Sequence, residues 1–148
     1  MSDKTHSQIS LKMILRNKNG EVLALKDPGS RNLEGLYDLP GGRIDGDEFE
    51  NSFEEIFQRE MHEEIGDIKM TSDYRAVAVG KCYNYSRAEQ EKRDTPTIFV
   101  LFEGKYIEGD IKISDEHEDF KWIDLDSIQL EDYFNHGLLA GIKMYTGR

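Results

Sequence analysis

Of the 148 residues only one is cysteine, Cys82, so no internal disulfide can form and the fold must rest on its own core. Long apolar runs are missing as well. The longest clear one, Ile98 to Phe102, is far short of the roughly 20 residues that a membrane helix needs, so no spanning segment is expected. Met1 to Gln8 is polar and lacks the apolar stretch of a secretory signal, and with the lone thiol this makes a reducing cytoplasm the expected location. Positive charge is scarce: 19 Lys and Arg stand against 30 Asp and Glu, a formal net charge of −11. A surface that acidic is poorly suited to displacing counterions from a nucleic-acid backbone, which argues against non-specific coating of DNA or RNA. No Gly-rich loop ends in Gly-Lys-Ser/Thr, so a P-loop is excluded, and no internal repeat, low-complexity stretch or domain linker is visible.

What is present is enough for a folded domain. Hydrophobic residues make up 37%, charged residues 33% and aromatic residues 10%, a composition of soluble globular proteins rather than disordered ones. The length suits one domain, expected over 1–148. Ile9 to Lys26 holds two β-forming stretches, ISLKMIL and EVLALK, around Asn19-Gly20, which predicts a β-hairpin. A loop is expected from Asp27 to Tyr37, and Leu39-Pro40-Gly41-Gly42 marks a place where backbone matters more than side chains. Ser52 followed by Glu55 has the spacing of a capping box and predicts a helix from Ser52 to Ile65, ended by Gly66. Strands are expected at Tyr74 to Tyr85, Thr97 to Glu103 and Lys121 to Ile123, with a polar connection from Ser86 to Pro96, and a helix start at Asp124 to Ser127 leads into a mixed helical tail through Tyr145. Strands, one central helix, more strands and a terminal helix make an α+β sandwich with a mixed sheet.

The central helix carries an anomaly. At about 100° per residue, with Phe53 at zero, Ile56, Phe57, Met61 and Ile65 fall at about 300°, 40°, 80° and 120° and form an apolar face. Glu60 and Glu64 land at about 340° and 20°, inside that face, and Glu63 lies beside it at about 280°. A solvated helix would place them opposite, because burying an unpaired carboxylate costs several kcal/mol. Arg59 is expected to neutralise one of the three. Rim salt bridges would account for the others, and so would a hard divalent cation, Mg²⁺ or Mn²⁺, held by the three carboxylates at i, i+3, i+4 spacing. An EF-hand is a poorer metal reading, since the ligand spacing around Asp45-Gly46-Asp47-Glu48 does not fit a calcium loop.

Gly41-Gly42-Arg43-Ile44-Asp45-Gly46-Asp47-Glu48, followed by Arg59-Glu60-Met61-His62-Glu63-Glu64-Ile65-Gly66, resembles the signature box of the Nudix hydrolases. Gly42 and Glu48 match its opening, and Arg59 to Gly66 match its close. Ten residues rather than seven separate Glu48 from Arg59, a three-residue insertion around Phe49-Glu50-Asn51, and Asp67 replaces the usual apolar residue after Gly66. Downstream, Glu116 stands six residues before Trp122, similar to the family's placement of a catalytic glutamate, with Glu118 as competitor and Trp122 expected as a core aromatic.

The resemblance implies a Nudix-type α/β/α sandwich and a metal-dependent hydrolase that cleaves the diphosphate linkage of a nucleoside diphosphate derivative by attack of water on phosphorus. It implies Glu60, Glu63, Glu64 and the Gly41 carbonyl as metal ligands, Glu116 as base, Glu63 as a further catalytic group, and Arg59 as the residue that positions the carboxylates. Carboxylates repel a pyrophosphate until cations bridge the two, so the metal must bind first. Arg31, Tyr83 and Tyr85 are candidate substrate contacts, as are Lys81, Arg87, Lys92 and Arg93; a tyrosine at this distance past the box is similar to a weak signature of diadenosine polyphosphate hydrolases. The signatures of coenzyme A and NADH pyrophosphatases are missing, and so is the proline usual in ADP-ribose hydrolases. The expected partner is a small phosphate-rich nucleotide, not a membrane or extended nucleic acid; a capped or 5′-phosphorylated RNA end and a homodimer stay open. The alternatives are a Nudix-like binding or regulatory module without turnover, and a hydrolase of non-nucleotide diphosphates.

Overall fold

Alternation of apolar side chains along three strands builds a sheet with two buried faces. In the computed structural model, which describes residues 3–28, 36–85, 94–134 and 136–148 (backbone alone at 84, 85, 94 and 136), the strands are β1 Gln8–Arg16, β2 Val22–Lys26, β3 Tyr37–Asp38, β4 Gly41–Arg43, β5 Lys69–Tyr85, β6 Asp94–Glu108 and β7 Asp119–Ile123. The helices are α1 Phe53–Ile65 and α2 His136–Thr146. Leu11, Met13 and Leu15 of β1, Leu23 and Leu25 of β2 and Phe102 of β6 bury against Ile56, Phe57, Met61 and Ile65 of α1. Their neighbours Ile14, Val22, Ala24 and Leu101 face the other way, onto Leu138 and Ile142 of α2. The period of two thus sorts each strand between two cores, giving an α/β/α sandwich around a mixed sheet.

The sheet runs β3-β2-β1-β6-β5, with β1 parallel to β6 over its whole length and β5 antiparallel to β6. Asn17 closes the first turn by accepting the amides of Asn19 and Glu21, and Gly20 takes the φ of +80° that the turn needs. The expected hairpin does not zip, however. β1 and β2 pair only at Arg16 and Val22; beyond that point β1 takes β4 as its neighbour at Ser10 to Lys12, and β2 pairs with β7 and β3. The two strands therefore open into a fork, with β3 on one side and β4 on the other. The Asp38-to-Gly41 turn joins the two sides.

The mixed helical tail consists of 3-10 turns at Leu125–Ser127 and Leu130–Asp132 ahead of α2, with Ile128 and Gln129 extended between them. That break lets Leu125, Leu130 and Phe134 all turn inward, each at most 3% exposed, which one helix face could not do at those spacings. β5 and β6 are also longer than their hydrophobic patterns suggest. β5 is bulged between Ser72 and Ala76, with Tyr74 at a φ of 51°, and the irregularity disrupts a simple alternation. Among the described residues no helix is long and apolar enough to cross a membrane.

Candidate active site

The helix that bears the acidic cluster is fixed at both ends by its own sequence. Ser52 accepts the Glu55 amide at 3.1 Å, and the Glu55 carboxylate returns to the Ser52 amide at 3.1 Å. Gly66, at a φ of +89°, ends the helix with its amide on the His62 carbonyl. The apolar stripe then sets the rotation of α1 against β1 and β6, and this carries Glu60 and Glu64 inward. Glu64 is 6% exposed and the Glu60 side chain 14% exposed, whereas the Glu63 side chain stands at the rim, 59% exposed.

Arg59 does more than the sequence suggested. Instead of neutralising one carboxylate it reaches three: it donates to Glu48 at 2.6 to 3.0 Å, to Glu60 at 2.9 Å and to Glu63 at 3.1 Å. A guanidinium has five donors in a rigid fork, and here the fork is shared among groups from a turn and from its own helix. Glu48 is held below the usual carboxylate range: burial works against its charge, but the Asp45 amide at 3.0 Å and Arg59 outweigh it. The insertion is absorbed in the turn between Glu48 and Ser52, where the Asn51 amide closes onto the Glu48 carbonyl and Phe49 points outward. Glu48 thus sits beside Arg59 despite the insertion. An open groove of about 670 Å³ lies beyond this pair, walled by Asp45, Asp47, Asn51, Glu55 and Gln58.

Arg59 does not reach Glu64. The Glu64 carboxylate accepts the Gly41 amide at 3.1 Å, and its pKa is pushed up to about 8, chiefly by burial, with Lys12 partly opposing. Glu60 is pushed up as well, again by burial, against the pull of Arg59. The backbone of β4 is pressed against both groups. A Cβ on Gly42 would lie 2.5 Å from a Glu60 oxygen, and one on Gly41, whose φ is +137°, would lie 2.0 Å from the Leu11 carbonyl. Glu64, buried, and Glu60, half-buried, at i, i+4 spacing, are both disfavoured as anions and backed by bare backbone, and their oxygens are of the kind that could hold a hard divalent cation.

The chain after β6 docks on the C-terminus of α1, where the amides of Lys112 and Ser114 donate to the carbonyls of Ile65 and Glu64. Glu116 follows two residues later, exposed, and makes no ion pair among the described residues. Glu118 differs: it pairs with Lys26 at 3.1 Å, and its amide donates to the Lys26 carbonyl. His117, between them, is buried. Trp122, expected as a core aromatic, is half-buried: its ring lies 5.3 Å from Tyr106 and packs against the edge of the α1-side core. Tyr83 is 63% exposed on β5. Arg31, Arg87, Lys92 and Arg93 lie outside the described residues, as does the side chain of Tyr85.

Sequence reasoning missed four polar residues at the fork. Lys12, its side chain 8% exposed, donates to Asp38 at 2.9 Å. Asp27 and His117 are both buried with 3.9 Å between Oδ1 and Nε2, and one donor atom from each of Asp27, Asp38 and His117 lies within 4.8 Å of the others. A signal existed in the case of Lys12, which interrupts the apolar run of ISLKMIL.

The fold has relatives among known proteins. The NUDIX domain matches residues 6–139, and the chain belongs to that family. No curated protein sequence matches it. Among solved structures it resembles the MutT protein of Methanosarcina mazei, at 24% identity over 99% of this chain and 95% of that one, with a TM-score of 0.68. An ADP-ribose pyrophosphatase of Streptococcus suis is similar at 16% identity over 96% and 91% of the two chains, TM-score 0.63. The NUDIX domain of Shewanella oneidensis NrtR, solved with ADP ribose, is similar at 16% identity over 98% and 90%, TM-score 0.65.

Proposed function

We propose that this Nudix-type pyrophosphohydrolase cleaves the diphosphate linkage of a small nucleoside diphosphate derivative with the help of Mg²⁺ or Mn²⁺. The observation that carries the reading is the pair Glu60 and Glu64, one half-buried against Gly42 and the other buried on the Gly41 amide, with Glu64 outside the reach of the one arginine on the helix. Buried carboxylates without enough cationic partners are costly, and a divalent cation removes that cost.

Glu60, Glu64, the rim carboxylate Glu63 and the Gly41 carbonyl would hold the ion. When bound, it supplies positive charge to the pyrophosphate oxygens and acidity to water. The chain's own residues do the rest. Arg59 fixes Glu48, Glu60 and Glu63 relative to one another, so the ligand set does not have to reorganise. Glu116 takes the proton of the attacking water as its oxygen bonds to phosphorus. The bridging P–O bond breaks, and the two products each leave with a phosphate. Glu116 is preferred to Glu118 because Glu118 is already engaged with Lys26. Exposed Tyr83 is a candidate to stack on a base, and Arg31 and Tyr85 remain candidate contacts.

The similar fold of an ADP-ribose pyrophosphatase and of an ADP-ribose-bound NUDIX domain supports nucleoside diphosphate derivatives as the first compounds to test. A binding module without turnover is the weaker reading, since it has no need of two carboxylates drawn in against a glycine strand. The experiment is release of phosphate or nucleoside monophosphate across a panel of such compounds, with Mg²⁺ and with Mn²⁺, for the parent and for Glu64→Gln. Full activity in that variant, or none in the parent, overturns the proposal.

A further inference from the structure

Four carboxylates stand in the run Asp115 to Asp119, and all four are exposed; His117 alone in that run turns inward and is buried. Like charges this close together repel one another and favour water, so the one inward side chain decides where the run sits. The run is also held at both ends. The Ser114 amide donates to the Glu64 carbonyl in the last turn of α1, and the Glu118 amide donates to the Lys26 carbonyl at the end of β2. Between these points the His117 amide closes back onto the Ser114 carbonyl, and the Glu116 amide lies 3.4 Å from the Ser114 hydroxyl oxygen. Glu116 and His117 thus share one tight turn, the first facing water and the second facing the interior.

Inside, His117 meets Asp27, the residue that follows β2: Nε2 lies 3.9 Å from Oδ1, and each side chain is 4% exposed. Asp27 is fixed in turn, its amide on the Leu36 carbonyl at 3.0 Å. A buried carboxylate and an imidazole nitrogen at that separation interact through a medium that screens poorly, so the pair holds the turn against β2. Asp38 extends the contact. Its donor atom lies within 4.8 Å of those of Asp27 and His117, and its carboxylate accepts the Leu39 amide at 2.8 Å and Lys12 at 2.9 Å. The polar cluster therefore joins the turn that carries Glu116 to the turn that leads into β4.

We propose that His117 and Asp27 are positioning residues for Glu116: the buried pair pins the turn from inside, so that the Glu116 carboxylate is held at a set distance from α1, whose last turn the same segment grips through Ser114. The inference rests on the reading of Glu116 as the base that takes the proton of the attacking water. Neither His117 nor Asp27 touches the reacting atoms.

The test is steady-state kinetics of the full chain with Mn²⁺, on the nucleoside diphosphate derivative that the parent hydrolyses fastest, with thermal unfolding and calorimetric titration of Mn²⁺ alone alongside. In His117→Leu the polar contact is lost while an apolar side chain still fills the site, and kcat falls about tenfold with KM nearly unchanged. Asp27→Asn lowers kcat several-fold in the same way. His117→Gln, which sets an amide nitrogen near the place of Nε2, recovers most of the loss. All three bind Mn²⁺ as the parent does. The deciding measurement is the cycle with Glu116→Gln: a residue that acts through Glu116 has nothing left to place there, so His117→Leu and Asp27→Asn change kcat by about twofold or less in that background. Equal losses in both backgrounds, no loss in the parent background, or the same loss in His117→Gln as in His117→Leu overturns the proposal. Should His117→Leu fail to fold, Asp27→Asn decides alone by the same cycle. If Glu116→Gln by itself keeps the parent's kcat, the reading of Glu116 as base has failed; if it lowers kcat and the cycle shows equal losses, that reading stands and the role of His117 and Asp27 has failed.

Discussion

At the residue scale the account turns on Glu64. Its carboxyl is raised above the ordinary value of 4.5 to about 8, mainly by burial, so the folded chain holds a proton that the unfolded chain releases. The sign follows: without metal, folding is favoured by this group at low pH, and that advantage is lost progressively as pH rises above 4.5 and through about 8. Metal-free parent protein is therefore expected to lose thermal stability over that range, and Glu64→Gln to flatten the decline and melt higher at pH 8; denaturation scans in a chelator check both. Arg59→Lys replaces a fork that spans three carboxylates by a point charge that cannot, and lowers activity or Mn²⁺ affinity about tenfold or more, read by kinetics and titration. Helical angles alone placed Glu60 and Glu64 in the apolar face, because the stripe of Ile56, Phe57, Met61 and Ile65 fixes the rotation of α1. They could not show that Arg59 also reaches Glu48, a contact across eleven residues that depends on how the inserted turn folds back. Lys12 was hidden for the same kind of reason. A charged residue in a strand reads as surface until the partner beside it, here Asp38 from a separate strand, is known.

At the scale of elements, signals that act locally were the readable ones. The capping box at Ser52 and Glu55 and the stop at Gly66 delimit α1 in sequence and in structure alike. Strand pairing was not readable: EVLALK follows ISLKMIL across an Asn-Gly turn, yet β1 leaves β2 after one pair because β6 and β4 occupy its edges. The short strands β3 and β4 carry no hydrophobic period, and the glycines of β4 signal only that backbone must come close. The same holds for β5 against α2, where a Cβ on Gly80 would lie 1.9 Å from the Gly137 carbonyl oxygen. That atom belongs to helix backbone and cannot step aside, so Gly80→Ala is expected to lower stability by roughly 3 kcal/mol. The metal affinity of the folded fraction should stay near the parent's, since α2 lies on the face opposite α1. Chemical denaturation with Mn²⁺ titration separates the two effects.

For the whole molecule the net charge of −11 poses the question with which any functional reading has to deal. A protein so acidic repels phosphates unless cations intervene, and the fold concentrates a subset of that charge, Glu48, Glu60, Glu63 and Glu64, around one arginine and one sheet fork. The sandwich makes this arrangement possible: one core rotates the helix carboxylates inward, and the splay of β1 from β2 leaves room for the glycine turn that covers them. The measurement that tests the account most directly is release of nucleoside monophosphate from a panel of nucleoside diphosphate derivatives, by parent and Glu64→Gln proteins, with Mg²⁺, with Mn²⁺ and with a chelator. The account predicts hydrolysis of at least one compound by the parent, abolished by the chelator and reduced by two orders of magnitude or more, on the order of 10²-fold, in a folded Glu64→Gln variant. Undiminished release by that variant, or by the parent in chelator, would contradict it.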